Sequence, residues 1–441
     1  MTSSDVGDPI SARSAQPSAP GPRAWVALGC LGFVYVLNYL DRQLLSILAK
    51  PIEDSLHITD GQMGLLGGLY FALFYCFISI PVGWLADRSN RVRVLSLACA
   101  VWSVATMACG LAGNYAQLAA ARMTVGFGEA GGVPPSYAVI SDYFPPKRRG
   151  MALGLYNLGP PIGAALGVAF GASITLVLGW RSAFMILGAV GVVTALVVLA
   201  IVREPVRGGL DPDVAQRAAG QGFVSTLKMF LGRRSLMLAA LGSGATQIIT
   251  YGMGNFAVLF LMREKGMTLR DVSVWYALAL IVGIGGGIYA SGWLIDRFAQ
   301  RSKAAFGWLP AATLTLAIPF YLAFVWAPGW PLALAFLMGP LLLNYFYLTA
   351  SVALVQQEVR PDQRVVSGAL LLLVMNLIGM GVGPTYVGAA SDHFRVTNPQ
   401  HCLQMALYTL VPFYLLAIVL FAWLARVLRI EQSTGARRRS T

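Results

Sequence analysis

Gly83-Trp84-Leu85-Ala86-Asp87-Arg88 closes one long apolar run, and Gly292-Trp293-Leu294-Ile295-Asp296-Arg297 closes another, 209 residues further along. A second echo follows each copy: Asp142, Pro145, Arg148 and Ala152 recur as Glu358, Pro361, Arg364 and Gly368, at an offset of 216. One match of this kind is cheap. Two at nearly one offset, each at the same place in the order of apolar runs, indicate a chain built from two copies of one unit.

The runs themselves set the solvent. Of 441 residues, 57% are hydrophobic and 12% charged, and the mean hydropathy is +0.66. A water-facing surface cannot be made from so few charges, because soluble domains carry roughly 25%. Apolar stretches long enough to cross about 30 Å of hydrocarbon recur almost end to end. We place twelve, at 24–48, 61–86, 94–113, 115–142, 150–172, 181–202, 235–262, 271–295, 305–326, 331–357, 365–390 and 403–427. The expected fold is therefore an all-α polytopic membrane protein of two pseudo-symmetric six-helix bundles, 24–202 and 235–427. Residues 1–23 read as a disordered cytoplasmic leader, 203–234 as a cytoplasmic linker and 428–441 as a basic cytoplasmic tail.

The net charge of +13 does not mark a nucleic-acid binder, since the basic residues sit in short clusters between the apolar runs. With both termini on one side, 24 of the 32 Lys and Arg fall on that side and six on the other; Arg42 and Arg122 lie inside spans. Positive charge is retained in the cytoplasm, which places both termini there. Short loops and the absence of an Asn-x-Ser/Thr site favour a bacterial inner membrane.

Ionisable groups inside a span cost about 2.5–3.5 kcal/mol each on insertion scales, so those that remain are functional candidates. They are Asp41, Arg42, Arg122 and Glu129. Arg122 and Glu129 are seven residues apart and share one helix face, separated by about 10.5 Å along the axis. Asn38 lies one turn before Asp41 and Arg42 and extends a polar face that can look across at them. Asp41 and Glu129 are the expected proton-sensitive acids, because burial favours the neutral carboxyl and a nearby guanidinium the charged one. Arg122, with Arg42 and Asn38, is the expected headgroup site. Arg122 would hold Glu129 in one state and release it to an anionic substrate in another; a fixed helix-orienting ion pair is the alternative. The C-terminal half offers neutral polar groups in mid-span, Gln247, Tyr251, Asn255, Asn344 and Asn376, as candidate cavity lining; Tyr251, Phe256, Tyr345, Phe346 and Tyr347 are candidates to hold an apolar part of the ligand, with lipid-facing or interfacial placement the alternative for most of them. Gly159, Pro160 and Gly163, with Gly383 and Pro384, are candidate helix pivots; close packing without motion is the alternative.

These residues carry a resemblance. Gly83-x-Leu85-Ala86-Asp87-Arg88-x-x-Arg91-x-Arg93, Arg122-x-x-x-Gly126-x-Gly128-Glu129-Ala130 and Gly159-Pro160-Pro161-x-Gly163 resemble signatures of the major facilitator superfamily. Within it, Asn38-Tyr39-Leu40-Asp41-Arg42 with Gly126-x-Gly128-Glu129-Ala130 is most similar to the spinster family, although Gly131-Gly132 departs from that family's pattern. The resemblance implies a proton-driven secondary transporter working as a monomer by alternating access. Its substrate would be a lipid-like amphiphile such as sphingosine-1-phosphate or a lysophospholipid. Small organic anions such as sugar or aromatic acids, or drugs, are the alternative substrates, and a non-transporting receptor is the alternative class. It also implies that Gly83, Asp87, Arg88 and Arg91 form a conformational latch between the halves, echoed by Asp296 and Arg297.

Neither an enzyme nor a nucleotide-driven pump is expected. No nucleophile and base are paired, no GxxxxGK[ST] loop is present, and the five cysteines and three histidines show no metal-ligand spacing. No cofactor or metal is called for beyond the proton gradient.

Overall fold

The computed structural model describes residues 20–207, 223–360 and 363–440. In the first half the helices are α1 (Pro22–Ile47), α2 (Ala49–Leu56), α3 (Asp60–Gly67), α4 (Leu69–Arg88), α5 (Arg91–Leu111), α6 (Tyr115–Glu129), α7 (Val133–Tyr143), α8 (Pro146–Tyr156), α9 (Gly159–Leu178) and α10 (Trp180–Ile201). The short α11 (Phe223–Gly232) leads into α12 (Arg234–Arg263). The next crossing, Leu269–Ala299, runs through α13 (Leu269–Asp271), α14 (Ala277–Leu280) and α15 (Gly286–Ala299), joined by two π-helical turns. It is followed by α16 (Ala305–Trp326), α17 (Trp330–Leu343), α18 (Phe346–Glu358), α19 (Arg364–Arg395), α20 (Cys402–Tyr408) and α21 (Val411–Ser440).

Among the described residues eleven helical stretches are long and apolar enough to cross a membrane. The expected span at 115–142 is the exception, being broken into α6 and α7 at Ala130-Gly131-Gly132. Pro134 and Pro135 have no N–H to give to the carbonyls one turn back, so the chain stops at Glu129 and restarts. The two pieces together still make the fourth crossing. At the other end, the expected basic tail continues α21 as a helix as far as Ser440. Most of the leader, at 1–19, and the middle of the linker, at 208–222, lie outside the described residues.

The duplication read from sequence is repeated in the packing. In the first half α1 packs on α9 and α5 on α10; in the second, α12 packs on α19 and α16 on α21. These are the same pairs of crossings, shifted by six. The ion pairs repeat as well: Arg91 at the start of the third crossing binds Asp142 at 2.7 Å, and Lys303 just before the ninth binds Glu358 at 2.7 Å. Glycine permits the close approach within a half. A Cβ on Gly163 would stand 2.4 Å from the Val36 carbonyl oxygen, and one on Gly128 would stand 2.6 Å from the Trp102 nitrogen.

Outward, the helices present bare apolar side chains such as Val177, Leu196 and Leu111, which a bilayer covers and water would not. Between the halves, α1 meets α12, α3 and α4 meet α19, and α9 meets the eighth crossing along its first turns. The hydrogen bonds joining the halves gather at the end opposite the termini. There Ser46 donates to the Gly254 carbonyl, the Gly61 N–H to Asp392 and the Leu69 N–H to Thr385.

Gly163→Val should lower the melting temperature of the detergent-solubilised protein, because overpacking costs about 1–3 kcal/mol. Gly154→Val, with nothing within 4 Å of its Cβ position, should leave it unchanged. Equal melting temperatures would show that α1 and α9 do not depend on Gly163.

Candidate functional site

α6 is pressed between α4 and α5, and side chains of α1 reach across to its polar stripe, so four ionisable side chains meet within the helix bundle. Asp41, Arg122 and Glu129 are each at most 2% exposed. Their partners are crossed relative to expectation. Arg42 Nε donates to Glu129 Oε2 at 2.7 Å, and Arg122 Nη1 stands 3.6 Å from Asp41 Oδ1. Arg122 does not hold Glu129. Two turns of α6 separate them, and the adjacent Asp41 and Arg42 of α1 enter between, giving each α6 charge an opposite neighbour.

Each pair has its own setting. Thr106 of α5 donates its hydroxyl to Asp41 Oδ2 at 2.6 Å. The Arg42 guanidinium lies over the rings of Tyr39, Phe71 and Tyr75 at 4.8–5.1 Å, and Arg122 shares Phe71 at 5.4 Å. Such contacts are worth most where water is excluded. The aromatic wall continues through Tyr35 stacked on Tyr156 and Tyr137 edge-on to Tyr156.

Several polar atoms at the centre remain without a hydrogen-bond partner although buried: Asn38 Oδ1, Asp41 Oδ1, Arg122 Nε and Nη1, and Glu129 Oε1. Buried polar atoms are nearly always paired, so a group of five so close together is chemically distinctive. It supplies both donors and acceptors, as an anionic headgroup or an exchangeable proton requires.

The other expected residues divide. Gln247 is buried with an unpartnered Oε1, packed against Gly379. Asn255 donates to the Tyr251 carbonyl and its Oδ1 abuts Gly67 of the other half. Asn376 is partly exposed. Asn344 is wholly buried and donates to the Tyr414 hydroxyl, which makes it a packing group of the second half and not cavity lining. Phe256, Phe346 and Tyr347 lie in the core, against the alternative that such aromatics face lipid. Gly159 and Pro160 begin α9, with proline in the first turn where its missing N–H costs nothing. Gly383 packs on the Ile248 carbonyl, and the Pro384 carbonyl touches Gly64 across the halves.

Among the described side chains, none of the expected latch residues joins the halves here. Arg91 binds Asp142 and Glu204, both in its own half, because their two carboxylates converge on it at 2.7 Å each. Arg88 stacks on Trp84 and Arg297 on Trp293, Asp296 is exposed, and nothing within 4 Å fills the space beside Gly83. The side chain of Asp87 lies outside the described residues.

Two features escaped the sequence reading. Thr106 is a hydroxyl in an apolar span, which carries no charge signal and usually satisfies itself on its own helix, as this one also does on Trp102. The second is a charged cluster at the end opposite the termini, where Arg263 binds Asp60 and Glu53, and Arg395 binds Asp60. Arg263 and Arg395 end their spans and Asp60 begins one, so each reads singly as a boundary charge.

A duplicated bundle of twelve crossings, joined at one end and holding buried charge at its centre, has the architecture of a secondary transporter. The chain belongs to the Major Facilitator Superfamily, whose model matches residues 31–384, and is a transporter and not an enzyme. It is 35% identical over 409 residues to an MFS-type efflux pump of Mycolicibacterium smegmatis, covering 92% of this chain and 93% of the relative. Protein spinster homolog 3 of Danio rerio is 25% identical over 414 residues, covering 89% and 82%. The fold matches the crystal structure of a bacterial homolog to the human lysosomal transporter spinster, in an inward-facing and unoccupied conformation. The TM-score is 0.86 at 29% identity, covering 93% of this chain and 98% of that one.

Removing one member of a buried ion pair costs about 3–5 kcal/mol. Arg42→Ala should therefore destabilise the protein strongly, and adding Glu129→Gln should recover most of the loss, whereas adding Asp41→Asn should not. Thermal unfolding of the single and double variants reads this; equal recovery by both second changes would contradict the crossed pairing.

Proposed function

We propose that the protein is a proton-coupled transporter of an anionic, lipid-like amphiphile, a lysophospholipid or sphingosine-1-phosphate, working as a monomer by alternating access. The observation that carries this reading is the crossed pair Arg42–Glu129 and Asp41–Arg122, with unpartnered donors and acceptors on both sides of it. A proton on Glu129 removes the charge that holds Arg42, and a proton on Asp41 does the same for Arg122. Either guanidinium then has lower-energy contact with a phosphate, because a planar donor fork suits phosphate oxygens. Arriving headgroup and arriving proton thus act on the same two pairs, which is what couples their binding.

The tail of such a substrate needs apolar surface beside a charged centre. The rings of Tyr39, Phe71 and Tyr75 adjoin Arg42 and supply such a surface. Similarity to spinster proteins supports the same substrate class. The distribution of Lys and Arg supports cytoplasmic termini, and the short loops without an Asn-x-Ser/Thr site support a bacterial inner membrane. On that orientation the joined end is extracytoplasmic and the conformation inward-facing; latching of the halves by Asp87, Arg88 and Arg91, and by Asp296 and Arg297, would belong to the opposite state, with Arg91 exchanging its present partners Asp142 and Glu204.

Purified protein in liposomes should move labelled lysophospholipid or sphingosine-1-phosphate faster when a pH gradient is imposed. Asp41→Asn should abolish the gradient dependence, and Arg122→Ala should reduce lipid flux at least tenfold. No lipid flux from the folded protein, together with uptake of a small organic anion, would overturn the substrate assignment.

A further inference from the structure

The charged cluster between the halves sets two acids against two arginines, but its donors gather on one of the acids. Asp60, at the start of α3, accepts from Arg263 Nη1 at 2.9 Å and Nη2 at 3.0 Å, and from Ser391 Oγ at 2.6 Å; Arg395 Nη2 pairs with it at 2.7 Å. Four donors converge on one fully buried carboxylate, so the negative charge resides there. Glu53 of α2 is 7% exposed; its Oε2 takes a share of Arg263 Nη2, and its carboxyl lies within side-chain hydrogen-bonding reach of Asp60, which a proton on Glu53 would satisfy. Its Oε1 is buried with no partner. A second carboxylate so placed is costly, whereas a carboxylic acid has a proton to give and one charge fewer to keep from water.

We infer that Glu53 is a proton-binding site of this gate, carrying a proton while the halves are joined and returning it to the same side when they part. The groups facing it are Lys50, Asp54 and His57 on its own helix and the turn after it, Asp60 on α3, Arg263 on α12, Arg395 on α19, and the Cys402 thiol at the start of α20. Lys50 is taken up by Asp54 at 2.5 Å, which leaves Arg263 as the cation in contact. Burial first, and then the adjacent Asp60, push the Glu53 carboxyl up to about 9 from an ordinary 4.5, against the pull of Arg263 and Arg395. A cavity of about 440 Å³ bordered by these residues gives the proton a route to solvent.

The site is assembled from both halves. Glu53 and Asp60 belong to the first, and Arg263, Ser391 and Arg395 to the second. When the halves part, water reaches Glu53 and relieves the burial that is the largest cause of its upward shift; the arginines that pull the other way leave and Asp60 stays, so Glu53 then ionises at a lower pH than in the joined state because hydration outweighs the lost cations. The joined state binds the proton more tightly, so acid favours the closed gate. Its advantage falls by up to tenfold per pH unit as pH rises above the value at which the parted state ionises, and the fall levels off as pH passes about 9. Because the proton enters and leaves on one side, it sets the pH at which the gate opens and adds nothing to the transport stoichiometry. This inference rests on alternating access and not on the identity of the substrate.

The test uses the full chain with Asp41→Asn and Glu129→Gln, so that the central acids do not titrate, and spin labels at Ser55→Cys and Gln400→Cys after replacement of the native cysteines. Electron–electron distances should show the closed population falling as pH rises from about 6 to 8. With Glu53→Gln added, the gate should stay closed across that range. An unchanged pH response in the Glu53→Gln protein would overturn the inference. No opening in any variant at any pH would overturn it together with alternating access. As a second readout on the unlabelled protein, infrared difference spectra should contain a protonated-carboxyl band at neutral pH that Glu53→Gln removes; a spectrum unaltered by the substitution would also overturn it.

Discussion

A charge taken into hydrocarbon without a partner costs more than any other single feature of this fold can return, and the arrangement of helices around α1 and α6 answers that constraint. Two acids and two arginines neutralise one another pairwise, each pair bridging the two helices. Aromatic rings stand around Arg42, and Thr106 from α5 completes Asp41. Because each arginine is held by an acid on the other helix, a change of charge on either acid is felt as a change in the contact between helices. A helix pair bound in this way can respond to a proton, which an apolar contact cannot.

The same economy of charge operates at the end where the halves meet. There the pairs join one half to the other, with Arg263 and Arg395 reaching Asp60 and Glu53. At the end bearing the termini, Arg91 and Lys303 turn to acids of their own halves. One end is thus fastened across the two-fold relation of the halves and the other within each half. This asymmetry distinguishes one access state from its opposite, and it follows from where the ion pairs are made and not from any difference in helix length.

The duplication, the number of crossings and the four central charges were legible because each leaves a mark in one dimension: a repeated loop, an apolar run, a charge where none is tolerated. The break of the fourth crossing was signalled by Pro134-Pro135 after Gly131-Gly132, yet composition alone reads straight through it. The partners of the charges were not legible. Arg122 and Glu129 share a helix face, which suggests a pair, but the side chains that satisfy them come from α1, and only the docking of two helices decides which acid meets which base. Asn344 illustrates the same limit, since a mid-span amide can line a cavity or, as here, bind a tyrosine in the packed core. Charges at span ends, such as Arg263 and Asp60, look like boundary residues until the two halves are placed together.

The most direct test of the account is whether the substrate itself moves protons. With a pH-sensitive dye inside proteoliposomes and no imposed gradient, addition of a lysophospholipid should change the internal pH with the wild-type protein. It should do so with neither Glu129→Gln nor Asp41→Asn, while both variants still bind the lipid. Lipid transport without any proton movement, or proton movement that persists in both variants, would contradict the claim that the crossed ion pairs couple the two.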